Sequence, residues 1–97
     1  MNINEIIQHA AVIVDQEIKG KYRLFLFGSR VKENHNERSD IDIGILSETP
    51  ISTRQLLAIQ QKLEQIPTLL KIDFLDFNSI DEEFKQTALK HTREIKI

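Results

Sequence analysis

Three carboxylates in this chain occupy positions where a strand seldom carries them. Asp40 and Asp42 flank Ile41 at the head of an alternating run in which Ile41, Ile43 and Ile45 interleave with Asp42, Gly44 and Leu46. In an extended backbone both acids leave the same face, roughly 6–7 Å apart along the strand. Aspartate is a poor strand former and two like charges on one face repel, which points to a cation between them. Asp73 lies inside the run KIDFLDF, between Ile72 and Phe74, where a carboxylate is costly without a counter-charge. A strand paired beside the first, at about 4.8 Å, lets Asp73 complete a three-carboxylate cluster. Asp76 is its rival within the same run, but it differs in parity and is expected on the opposite face. Oxygen-only ligands of this kind suit Mg²⁺ or Mn²⁺, ions that clamp a phosphoryl transfer.

Such chemistry also needs a cradle for phosphate. Gly28, Ser29 and Arg30 follow directly on the apolar run YRLFLF. Gly28 permits a tight turn, Ser29 offers a hydroxyl and a backbone N–H, a short helix starting there aims its amino end at an anion, and Arg30 adds a fixed positive charge. Alone, Gly-Ser-Arg reads as an ordinary turn and Asp40 and Asp42 as solvated side chains; the weight comes from the combination. Lys71 reads first as a surface charge and second as a phosphate contact. His9, His35 and His91 have no ligand spacing between them and read as surface residues. The polar stretch from Lys32 to Arg38 reads as a solvated loop, placed where it could act as a lid.

The elements that must position these residues follow from periodicity. Ile3, Ile6, Ile7, Ala10, Ile13, Val14 and Ile18 have helical spacing, with Gly20 as the stop. Tyr22 to Phe27 is a buried strand ended by Gly28, its Leu24, Phe25, Leu26 and Phe27 read as core, and the run from Ile41 is a second strand. Ser52 and Gln55 form a capping box before a helix that carries Leu56, Ile59, Leu63 and Ile66 and breaks at Pro67. Lys71 to Phe77 is a third strand, Ser79 and Glu82 suggest a second capping box for a helix to about Lys90, and Glu94 to Ile97 could add a short edge strand. The order α-β-β-α-β-α with a last β predicts an α/β (α+β) fold, a small mixed sheet flanked by helices that lie mainly on one side.

Composition narrows the function. Ninety-seven residues, 1–97, predict a single domain, and 13 Lys+Arg against 15 Asp+Glu give a net charge of −2. With 40% hydrophobic residues the chain should fold, around a core small enough that docking on another subunit would help. The absence of cysteine removes disulfides, zinc ribbons and thiol nucleophiles, and makes the cytoplasm the expected compartment. No apolar stretch approaches a membrane span, and the amino terminus lacks the basic start of a signal peptide. A pI near 5.9 with no basic stripe argues against tight, direct nucleic-acid binding.

Gly28, Ser29, ten intervening residues and then Asp40, Ile41 and Asp42 resemble the Gly-Ser…Asp-h-Asp pattern of the DNA polymerase beta nucleotidyltransferase superfamily. The Gly-Ser-Arg start, Ser39 before the first acid, the third acid in KIDFLDF and the length look most like its minimal nucleotidyltransferases, the MntA-like antitoxins, over roughly residues 5 to 97. The resemblance implies a polymerase-beta-type fold, Mg²⁺ (or Mn²⁺) as cofactor and ATP as donor of AMP. It further implies a small helical HEPN-type toxin partner, encoded next door, that receives AMP on a tyrosine hydroxyl. Carried over by position, Asp40, Asp42 and Asp73 are the metal-holding and catalytic carboxylates, and Gly28, Ser29 and Arg30 the nucleotide- and phosphate-binding turn. Val31 and Lys32 stand where many relatives carry a second arginine. Two other readings remain open at this point. One is a non-catalytic nucleotide-binding or docking module that neutralises its partner by binding; the other is a transferase acting on an antibiotic or a nucleic-acid end, against which stands the lack of a second domain to hold such an acceptor.

Overall fold

A computed structural model describes residues 1–31 and 38–96. Residues 32–37 of the stretch Lys32–Arg38, read as a solvated loop that could act as a lid, lie outside the described residues, and with them His35; so does Ile97. Helix α1 spans Ile3–Glu17 and is opened by a capping box in which Asn2 Oδ1 accepts from the Glu5 N–H at 2.9 Å and Glu5 Oε1 accepts from the Asn2 N–H. Its end lies one residue short of the predicted Ile18, which becomes the extended C-cap. Strand β1 (Tyr22–Phe27) follows, then a 3-10 turn over Gly28–Val31, then β2 (Ile41–Ser47). Tyr22 donates its hydroxyl to Asp15 at 2.8 Å, tying β1 to α1; burial first, and the Asp15 partner second, push that phenol up to about 12.

Helix α2 (Thr53–Glu64) starts at the predicted Ser52/Gln55 capping box and ends before Pro67. Strand β3 is Ile72–Asp76, α3 is Glu82–Leu89 and β4 is the pair Arg93–Glu94, one residue ahead of the predicted edge strand. The cap of α3 differs from expectation. Asp81, not Ser79, is the N-cap and accepts from the Phe84 N–H, because Ser79 Oγ donates instead to Asp76 Oδ2 at 3.0 Å.

The sheet runs β3-β2-β1-β4. Strands β1 and β2 are antiparallel, as are β1 and β4, whereas β2 and β3 are parallel and joined through α2, the crossover that parallel neighbours require. Alternation then sorts the side chains onto two faces. Leu24, Leu26, Ile41, Ile43, Ile45 and Phe74 join Ile6, Ala10, Val14, Ile59 and Leu63 in the main core beneath α1 and α2. The opposite face carries a smaller cluster, Phe25, Phe27 and Phe77, against which Ala88 and Leu89 of α3 pack. Helices on one main side is therefore a description of α1 and α2 only; α3 crosses over because its apolar residues meet the aromatic trio. No residue of α3 is fully buried.

Candidate active site

The parallel register of β2 and β3 sets Asp42 directly opposite Asp73, and the antiparallel register of β1 and β2 sets Phe27 opposite Asp42. The three side chains form a row across the α3 face of the sheet, the placement that the parity of Asp73 predicts. Asp76, its rival, is buried and spent on the turn after β3, accepting from the Asn78 N–H and the Ser79 hydroxyl.

Asp42 and Asp73 lie within side-chain hydrogen-bond reach of each other, so Asp42 holds its proton more readily than a lone carboxyl would. Asp42 is pushed up from 3.8 to about 6, chiefly by burial, then by the charge of Asp73 and the hydrogen bond to it, and least by the charge of Asp40; Lys71 pulls the other way. Lys71 Nζ stands 3.7 Å from Asp73 Oδ1, and both side chains are well exposed. Asp40 sits just outside β2 in solvent. Among the described residues no three acids gather closely enough to hold an ion. The predicted trio is thus a facing pair with its third member at the strand entrance, an arrangement that three like charges favour on their own. The pair itself fits a hard divalent cation: two oxygen donors held together against their mutual repulsion, with a third carboxylate, Asp40, two positions before Asp42.

The turn after β1 is shaped around that pair. Gly28 has φ +76, and a Cβ there would fall on Asp42 Oδ2, so the position excludes a side chain twice over. Ser29 is exposed beside it. Arg30 is not exposed: it is 8% accessible and its Nε donates to the Ser39 carbonyl at 3.1 Å, bracing the backbone that leads into Asp40. It lines a cavity with Met1, Ile3 and Leu69 away from the acid pair. Of the six predicted site residues, the structure brings Gly28, Asp42 and Asp73 together, keeps Ser29 and Asp40 at the rim, and gives Arg30 a bracing contact.

Two features escaped the sequence. Gly44 is fixed by close approach, since a Cβ would lie 2.6 Å from the rings of Phe25 and Phe77; a glycine inside a strand run is the signal that marks it. The second is a cavity of about 620 Å³ over the site, with Phe27, Gly28 and Asp42 on one wall and Phe84, Lys90 and His91 of the α3 region on the other. His91 reads as a surface residue in sequence, and nothing in its spacing reveals that α3 is laid across this face.

A family model described as polymerase beta, nucleotidyltransferase matches residues 13–96. The chain belongs to that family. Among curated relatives of this nucleotidyltransferase is a Haemophilus influenzae protein named "Probable protein adenylyltransferase MntA", 28% identical over 75 residues that cover 77% of this chain and 66% of that protein, about two thirds of its length. A Methanocaldococcus jannaschii "Putative protein adenylyltransferase" is 31% identical over 88 residues, 91% of this chain and 88% of that one. In solved structures the nucleotidyltransferase fold recurs in a toxin-antitoxin with AMP-PNP, with TM-score 0.73 at 20% identity over 96% of this chain and 72% of that one. It recurs again in an MNT antitoxin complexed with a tri-AMPylated HEPN toxin of Shewanella oneidensis, with TM-score 0.68 at 18% identity over 95% and 71%. At these identities the likeness establishes the fold.

Proposed function

We propose that residues 1–97 act as one minimal nucleotidyltransferase domain that moves AMP from ATP to a hydroxyl, a tyrosine, of a HEPN-type toxin and thereby serves as its antitoxin. The observation that carries this is the register: Asp42 faces Asp73 across a parallel strand pair, with the Gly28 turn pressed against the Asp42 carboxyl. The names of the curated relatives and the HEPN toxin complexed with a structural neighbour support the acceptor class. A cytoplasmic setting agrees with the lack of cysteine.

Asp42 and Asp73, joined by Asp40, are the residues that would hold Mg²⁺ or Mn²⁺, which when bound neutralises charge developing on the transferred phosphoryl group. The remaining work falls to the chain itself. Gly28 lets the turn lie flat on Asp42, so a phosphate chain received by the Ser29 hydroxyl and backbone N–H rests beside the acid pair. Asp73, in its ionised form, takes the proton of the acceptor hydroxyl; the oxygen bonds to the α-phosphorus of ATP, the bond from that phosphorus to the bridging oxygen breaks, and pyrophosphate leaves. Arg30, through Ser39, holds the approach to Asp40 in place.

The test incubates purified protein with ATP labelled at the α-phosphate, Mg²⁺ and a lysate of its own host, comparing wild type with Asp40→Asn/Asp42→Asn. A single labelled protein seen only with wild type is the expected outcome and identifies the acceptor. No label, with one lysate protein captured equally by both forms, replaces the enzyme with a docking module.

A further inference from the structure

Resting on that reading, we infer that Lys90 and His91 form the second half of the nucleotide site and contact the phosphate chain from the side opposite Asp42. The cavity supplies the first argument. Its volume of about 620 Å³ lies within the range of small-molecule sites, and it places Gly28 and Asp42 on one wall and Lys90 and His91 on the other. Anything that rests on the Gly28 turn beside the acid pair faces those two side chains.

Charge is the second argument. The acid wall repels a polyphosphate, and Arg30, the cation that sequence places next to the turn, is buried against Ser39 instead. Lys90 and His91 bring a full positive charge and an imidazole donor to the same space, and both are exposed. Neither side chain has a hydrogen-bond or ion-pair partner among the described residues. They also stand just past the last turn of α3, whose carbonyl end favours cations. Lys85, earlier on α3, does not line the cavity and supplies a control of equal charge.

The test titrates AMP-PNP with Mg²⁺ into the full chain as wild type, Lys90→Gln/His91→Gln and Lys85→Gln, with thermal melts of each. Loss of direct charged contacts predicts at least a tenfold weaker binding for the double variant, with Lys85→Gln within about twofold of wild type and all three melting alike. Binding by the double variant within about twofold of wild type overturns the inference. So does an equal loss in Lys85→Gln, which reduces the effect to net charge. Binding of no AMP-PNP by wild type overturns the nucleotidyltransferase reading itself, a result distinct from either.

Discussion

The two faces of the sheet are built for different ends. Beneath α1 and α2, Ile41, Ile43 and Ile45 of β2 are wholly buried in an aliphatic core. On the other face the alternate residues of the same strand are Asp42, Gly44 and Leu46, covered by a helix that buries none of its residues completely. One strand thus supplies cohesion through one set of side chains and carries a candidate catalytic acid on the other, and the acid pair sits on the face that contributes less to folding. A carboxyl pair pressed together is a local cost, and the fold tolerates it because the opposite face carries the stability.

The largest effects should separate the faces. If Asp42 holds the cation as proposed, Asp42→Asn is expected to lower AMP transfer about a thousandfold or more, while the melting temperature at neutral pH holds or rises. Ile43→Ala, the next residue along, leaves a cavity costing about 3 kcal/mol yet should leave transfer per folded molecule within a few-fold of wild type. Calorimetry and labelled transfer on the two purified variants check this. A stability loss in Asp42→Asn to match that of Ile43→Ala would mean that both faces serve the fold.

A smaller effect sharpens the contrast within the site face. Gly20 and Gly28 both have positive φ, +84 and +76, but a Cβ at Gly20 meets the Thr49 side chain at an ordinary 3.7 Å or more, whereas at Gly28 it meets the Asp42 carboxyl. Gly20→Ala should cost about 1 kcal/mol of backbone strain and no activity. Gly28→Ala should cost about 2 kcal/mol and, by displacing Asp42, about a hundredfold in transfer. Equal losses at both positions would reduce Gly28 to a turn residue.

How much of this the sequence carries depends on whether a feature is local. Parity alone puts Asp73 and Asp76 on opposite faces of their strand, because side-chain alternation survives whatever the strand pairs with; that Asp73 is the one that shares a face with Asp42 depends on the β2–β3 register. The Ser52/Gln55 box is equally local and appears as read. The cap of α3 is not: Ser79-Glu82 reads as the start, and Asp81 takes its place because Asp76 recruits the Ser79 hydroxyl. Arg30 misleads for a geometric reason. In a 3-10 turn each residue rotates by a third of a circle, so a cation adjacent to Ser29 in sequence is swung off the face that Ser29 occupies. Lys90 and His91 stay hidden because the placement of α3 across the sheet is decided by the aromatic trio beneath it, with ring centroids 4.9 and 5.1 Å from Phe77.

The smallest effect concerns the proton held by Asp42 in the metal-free protein. Asp42 titrates near 3.8 unfolded and is raised to about 6 when folded, so the folded state binds this proton more tightly. Its contribution to stability is therefore fully present below pH 3.8 and is lost as the pH rises through about 6. The loss should reach about 1 kcal/mol, less than the full shift would give because Asp42 keeps access to solvent. Other carboxyls titrate in the same window, so the informative quantity is the difference between wild type and Asp42→Asn in melts from pH 4 to 7, which should widen against wild type as the pH rises. Mg²⁺ should reverse the trend for wild type alone, because on the proposed reading Asp42 and Asp73 would hold it in their ionised state. Parallel curves for the two proteins at every pH, with and without Mg²⁺, would show that Asp42 bears no special burden and that the two faces of β2 differ less than their residues suggest.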